Sequence, residues 1–278
     1  MENNSENKQL FEYYIEKIHP ILISVKDIVH IHSADDIHKL RVDLKKIKAL
    51  FYLFEIAEPK KFNADKHYAI FEHIFDQAGK IREAQMNQFC LDKYKLADST
   101  VLPFKKFLNR KEKKSKRKFS NLIVEFNNKK INDVDHEVKK LCHNISNDKI
   151  LKHSSVFISK KIKKIKNIPE VPDNKTLHNV RKNLKSISAI SSLLYSLDPS
   201  KKLAASQIRI KKAETLIGDW HDQIVFEQSL NEFFKIKKNE SDEALLPLQK
   251  LLKNMEIKNQ KVAKSIAKKI QTALPELK

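Results

Sequence analysis

Only two glycines and eight prolines occur in 278 residues. Tight β-turns draw on glycine for left-handed backbone and on proline for a fixed φ. Two glycines cannot serve the many turns of an all-β chain. Apolar residues recur with a helical period through most segments, so the chain is expected to be all-α. About eight long helices follow, with short connections. The first runs from about Glu6 to His30, with Pro20 as a kink. The second begins after Ser33 and ends near Ala57, before Pro59. The third covers about Asn63 to Tyr94 and the fourth about Pro103 to Asn127. Asn127-Asn128-Lys129-Lys130 marks the middle of the chain. Helical sequence resumes from Asp133 to about Lys166, broken near residues 144–147 and stopped by Pro169 and Pro172. Asp173 or Asn174 caps the next helix, which ends before Pro199. The last two run from Ser200 to about Lys237 and from about Glu240 to Ala273. The expected architecture is one domain, 1–278, made of two four-helix bundles over residues 6–128 and 131–273.

The glycines sit at matching places. Gly79 opens Gly79-Lys80-Ile81-Arg82-Glu83, and Gly218 opens Gly218-Asp219-Trp220-His221-Asp222, 139 residues later. About forty residues before each lies a basic motif, His38-Lys39-Leu40-Arg41-Val42-Asp43-Leu44-Lys45 and His178-Asn179-Val180-Arg181-Lys182-Asn183-Leu184-Lys185. Histidines 38 and 178 are 140 residues apart. Two motifs recurring at nearly one offset point to an internal duplication.

At about 100° per residue, Arg41, Lys45 and Lys48 fall within about 80° of His38 on one side of a helix. Leu40, Leu44, Ile47, Leu50, Phe51 and Phe54 cover the other side. In the second copy His178, Arg181 and Lys185 form the polar stripe, opposite Val180, Leu184, Ile187, Ile190 and Leu194. The match breaks at Ser188, where Lys48 would predict a cation. A stripe from His38 to Lys48 spans about 15 Å at roughly 1.5 Å per residue, which suits a linear anion. Arginine offers phosphate a planar fork and lysine a compact charge. A charged helix face is ordinarily just solvated, but its repetition with a linked glycine argues for a ligand.

The formal charge of +20 names the class of partner rather than the fold: nucleic acid, an anionic membrane face, an inorganic polyanion or an acidic protein. Cys90 and Cys142 lack metal-type spacing and suggest a reducing compartment. The polar start shows no signal peptide, and no membrane span is expected, so the cytoplasm is the simplest location. Lys111, Lys114 and Lys118 point close to the apolar stripe of the fourth helix, either as snorkelling stems or as groove-lining cations. Lys258 lies 140 residues after Lys118, so that cation is a candidate for duplication too. The run Lys160-Lys161-Ile162-Lys163-Lys164-Ile165-Lys166 is a further basic surface. Each mid-helix glycine costs roughly 1 kcal/mol against alanine, a cost that close helix–helix approach would offset. Glu83 and Asp222 could orient cations or form surface ion pairs. His30, His32 and His38 share no ligand-like spacing with an acid or thiol, so no metal is expected there. No phosphate loop, nucleophile elbow or zinc-protease motif is present.

At these residues the chain resembles the CHAD family, the conserved histidine α-helical domain. That family's pattern, approximately His-x-Leu-Arg-Val-x-x-Arg-Arg-x-Arg, appears as His38-Lys39-Leu40-Arg41-Val42-Asp43-Leu44-Lys45-Lys46-Ile47-Lys48. Its later Leu-Gly-x-x-Arg-Asp segment is similar to Ala78-Gly79-Lys80-Ile81-Arg82-Glu83 and to Ile217-Gly218-Asp219-Trp220-His221-Asp222. Departures are lysines for arginines, Glu83 for an aspartate and Ser188 for a cation. The resemblance implies two four-helix bundles around a basic central groove or pore. It also implies binding of inorganic polyphosphate and, in bacteria that make them, residence at polyphosphate granules. Relatives are often fused to a triphosphate tunnel hydrolase domain, and no such β-rich domain is present here.

Three functional readings follow. The leading one is non-catalytic polyphosphate binding by His38, Arg41, Lys45, Lys48, His178, Arg181, Lys182 and Lys185, with Lys114, Lys118 and Lys258 as further contacts. It needs no cofactor, and a phosphate-metabolising enzyme is a further candidate partner. The second is nucleic-acid binding, which charge supports but for which no recognition motif or spare aromatic is seen. The third is phosphoryl chemistry, which would need carboxylate-held metal, and only Glu83 and Asp222 recur.

Overall fold

The computed structural model describes residues 8–26, 33–124, 128–197, 199, 201–237 and 243–274. Among these, all regular secondary structure is helical. The helices are α1 (Lys8–Tyr13), α2 (His19–Lys26), α3 (Ala34–Ala57), α4 (Ala64–Asp92), α5 (Asp98–Val124), α6 (Asn128–Asn144), α7 (Asn147–Lys166), α8 (Asn174–Leu197), α9 (Lys201–Ile236) and α10 (Leu246–Ala273). His30, His32, Asn127, Ser200 and Glu240, which the sequence places at helix ends and connections, lie outside the described residues.

Local chemistry accounts for the boundaries. Ser33 and Asp36 form a reciprocal capping box at the start of α3. Asn63 accepts from the Lys66 amide at 2.8 Å to open α4, and Asp173 accepts from the Thr176 amide at 2.7 Å to open α8. Between α1 and α2 a π-helical turn, Tyr14–Ile18, comes just before Pro20. Proline has no amide and its ring crowds the carbonyl four residues back, so the widened turn accommodates it without ending the helix. The expected kink is therefore a π-bulge. Tyr14 and His19 on this segment meet Asp135 of α6, His19 Nδ1 at 2.8 Å from the carboxylate. Pro103 sits inside α5, near its start, rather than opening it.

The apolar residues do not divide into one core per half. One cluster joins Tyr14, Phe51, Phe54 and Phe71 to Val138, Ile150 and Leu194. A second holds Ile165, Leu184, Ile187, Ile217 and Ile270. A third is built by both halves: Phe104 of α5 meets Phe226 and Phe233 of α9 edge-on, with ring centres 6.0 and 5.3 Å apart. The two halves are thus packed together through aromatic faces rather than tethered side by side.

Helices α3 and α8 are each 24 residues long and begin 140 residues apart, at positions 34 and 174. They pack on each other; α4 packs on α3, α9 packs on α8, and α4 and α9 touch. These four helices contact one another in a closed cycle, α3 on α8, α8 on α9, α9 on α4 and α4 on α3.

Candidate functional site: a cation cluster between α3 and α8

Leu40, Leu44, Ile47, Leu50 and Phe54 bury one side of α3, while Leu177, Val180, Leu184 and Ile187 bury one side of α8. The cations on their opposite edges are thereby brought together. Burial pushes the Lys185 ammonium down to about 8, with Arg181, Lys45 and Arg41 adding repulsion and Glu214 opposing it. Lys45, the more open of the two lysines, is depressed by desolvation and by Arg41 and Arg181. The Arg41 guanidinium is lowered by burial, opposed by Tyr68 and Asp76, and lowered further by Arg82 and Arg181. Four signature cations from both helices therefore share one field. Like charges held this close in a partly desolvated place favour an anion.

The two arginines are held differently. Arg41 Nη1 donates to the Phe75 carbonyl at 2.6 Å, and its guanidinium lies over the Phe75 ring at 4.3 Å. It also occupies the space above Gly79: a Cβ there would fall 2.6 Å from Nη1. The glycine thus admits an arginine between the helices, beyond any closeness of backbones. Arg181 is half-buried, drawn by Asp222 and Glu214, and its Nε is buried with no hydrogen-bond acceptor among the described residues. Nothing described lies within 4 Å of a Cβ built on Gly218.

The remaining candidates separate. His178 is half-buried, stacked on His221 at 5.8 Å, and lowered by burial and by Lys182, His221 and Arg181. Lys182 is exposed beside it. His38 is exposed near the start of α3. Lys48 lies over the Tyr68 ring at 4.5 Å and at 5.9 Å from that of Tyr52, on the outer part of the stripe. Lys114, Lys118 and Lys258 are exposed on α5 and α10 and are not among the charges that act most on the cluster. Lys111 pairs with Glu232 of α9 at 2.7 Å, and Lys161 of the basic α7 run donates to Asn183 at 3.0 Å. Of the repeated acids, Asp222 faces Arg181 while Glu83 is exposed.

Arg82 belongs to the first glycine motif, but Asp76, Lys211 and Glu214 join the site from outside any motif. Arg82 and Asp76 act on Arg41, and Lys211 pairs with Glu214 at 3.2 Å. Glu214 also accepts from Ser188 at 2.7 Å. Ser188, the break in the repeat, therefore holds an acid where Lys48 would have put a cation. The offset of 139 places Glu214 opposite Phe75, and that register was the available signal.

Residues 24–231 match the CHAD domain family. A crystal structure of the CHAD domain from the plant Ricinus communis superposes with a TM-score of 0.71 at 12% identity, covering 98% of this chain and 92% of that one. A search of curated proteins finds no match. The family match covers well over half of the sequence, and the chain belongs to the CHAD family.

Proposed function

We propose that this CHAD protein binds inorganic polyphosphate across the cations of α3 and α8 and performs no chemistry on it. The observation that carries the reading is the convergence of Arg41, Lys45, Arg181 and Lys185 from two distant sequence motifs into one field. Such clustering raises the energy of the empty protein, and a polyanion relieves it. Each successive phosphate brings another charge to a stripe about 15 Å long, so affinity grows with chain length. Lys48 and Lys182 on the same two helices extend the field outward, while Lys114, Lys118 and Lys258, on α5 and α10, add only long-range charge. Residence at polyphosphate granules and contact with a phosphate-metabolising enzyme are consequences of this reading in a cell that makes the polymer.

Of the large apolar side chains that are exposed among the described residues, Phe89 is the aromatic one. Single-stranded nucleic acid is ordinarily held by base stacking on such rings. Polyphosphate has no bases and asks only for charge and donors. The test is competition of labelled long-chain polyphosphate against RNA and short phosphates at near-physiological salt. Displacement by unlabelled polyphosphate but poorly by RNA supports the reading. Equal displacement by RNA overturns it. Metal-dependent phosphate release, lost on changing Glu83 and Asp222, would replace binding by catalysis.

A further inference from the structure

The two halves present the same arginine in opposite states. Arg41 is spent on the framework, with its carbonyl acceptor, its aromatic bed and its seat over Gly79. No described atom lies within 4 Å of a Cβ built on the matching glycine, Gly218, so Arg181 does not fill that space. Its Nε lacks an acceptor among the described residues. His221 Nδ1 is also buried without a hydrogen-bond partner among the described residues, 3.6 Å from Asp222 and so beyond hydrogen-bond reach. At about 100° per residue, Gly218, His221 and Glu214 share one face of α9. His178 stacks on His221, so α8 and α9 meet there. Donors without acceptors are costly when buried and are seldom kept without use.

We propose that the second half holds a dedicated oxyanion subsite, formed by Arg181, His178 and His221 over Gly218, that grips one phosphoryl group of the polymer. This rests on the polyphosphate reading. Arg41 supplies field to the site but no contact. The bare face of Gly218 lets the phosphoryl oxygens approach the helix where, in the first half, an arginine sits. Arg181 then gains the acceptor it lacks. Lys185 and Lys45 continue the grip along the chain. Glu214, already shared by Ser188 and Lys211, borders the subsite as its counter-charge.

Both arginines lie in one field, so charge loss alone would weaken binding equally at either position. The test measures long-chain polyphosphate affinity at near-physiological salt for Arg41→Gln, Arg181→Gln and Gly218→Leu, each checked for helical content and Tm. Arg181→Gln is expected to lose tenfold or more and Arg41→Gln about threefold or less. Arg41→Lys and Arg181→Lys repeat the comparison with charge kept, and Arg181→Lys is expected to weaken binding several-fold more than Arg41→Lys. Gly218→Leu, folded, is expected to lose tenfold by filling the subsite. Equal losses at the two arginines, or native affinity in folded Gly218→Leu, would overturn the subsite. Absence of polyphosphate binding by the native chain is a different result, and it would sink the ligand assignment itself.

Discussion

Gly79→Ala and Gly218→Ala are the same change at matched places, and they are expected to act with opposite sign. Alanine in a helix interior gains about 1 kcal/mol over glycine. At Gly218 no described heavy atom lies within 4 Å of the new methyl, so the gain stands. At Gly79 the methyl would sit 2.6 Å from Arg41 Nη1 and 3.4 Å from Cζ. The guanidinium must shift, and the expected outcome is that it gives up its 2.6 Å hydrogen bond to the Phe75 carbonyl and its stack at 4.3 Å. A hydrogen bond to a charged group is worth about 1.5–3 kcal/mol, and a part-open cation–π contact about 0.5–1 kcal/mol. Rehydration of the freed cation returns part of that, and the propensity gain returns about 1 kcal/mol. A net loss of roughly 1 kcal/mol remains, so the two variants should differ by roughly 2 kcal/mol. At about 2 °C per kcal/mol for a chain of this size, their Tm values should differ by about 4 °C. Thermal unfolding of the full chain, followed by helical circular dichroism, reads this directly. Repeating Gly79→Ala on an Arg41→Ala background removes the collision and should restore the gain. Equal Tm shifts for the two single changes would refute the claim that Gly79 exists to seat Arg41.

Three further outcomes follow from the same contacts. Lys185 sheds its proton near pH 8 in the folded chain, against an ordinary value of 10.5, so polyphosphate affinity at fixed ionic strength should fall as pH rises through 8. Stability should move the other way: the unfolded chain holds the extra proton between about 8 and 10.5, so this lysine's cost is full below 8 and fades above it. Lys185→Met should accordingly raise Tm by roughly 2 °C, on the order of 1 kcal/mol after discounting for solvent, while weakening binding. Ser33→Ala removes the capping box of α3 and should cost about 1 kcal/mol with little change in affinity, since the cap lies two turns before Arg41. Burial pushes the Asp135 carboxyl up, but Tyr14, His19 and Lys139 outweigh it and hold it below 3.8. Its contribution is present above that value and is lost as pH falls through the lower folded value, so Asp135→Asn should lower Tm at neutral pH by about 2–6 °C and flatten the acid side of the stability profile.

Much of this was legible because helices announce themselves locally. Ser33 and Asp36, Asn63, and Asp173 before Asn174 fix three helix starts from side chains within a turn of the boundary. The signature stripes were legible for the same reason: burial of Leu44 and Leu184 forces Lys45 and Lys185 to the other edge. What required coordinates is what depends on a second helix. No local rule tells that Phe104 packs on Phe226, so the core shared between the halves was invisible. Arg82, Lys211 and Glu214 join the cluster only because α4 and α9 close the cycle of contacts with α3 and α8. The role of Gly79 was equally hidden, since a glycine in a helix says that something comes near and not what.

The two signature stripes share His, Arg and Lys at one offset (His38 and His178, Arg41 and Arg181, Lys45 and Lys185) and differ in their neighbours. At the position where the first half has Phe75 under Arg41, the second has Glu214 beside Arg181. Where the first half has Lys48 among the Tyr52 and Tyr68 rings, the second has Ser188 bonded to Glu214, and Gln207 bonded to Ser192 at 2.9 Å. Each change has the same physical direction. The first half replaces acceptors by rings, which hold a cation without neutralising it and leave its field intact. The second half supplies a carboxylate, Glu214, held by Ser188 and Lys211, whose charge opposes that of Arg181 and Lys185. A strictly symmetric site would stack uncompensated positive charge from both sides and be harder to fold. Dividing the work lets one half anchor its arginine permanently while the other keeps its arginine available, so Arg181 and Gly218, more than Arg41 and Gly79, are where changes in ligand preference should concentrate.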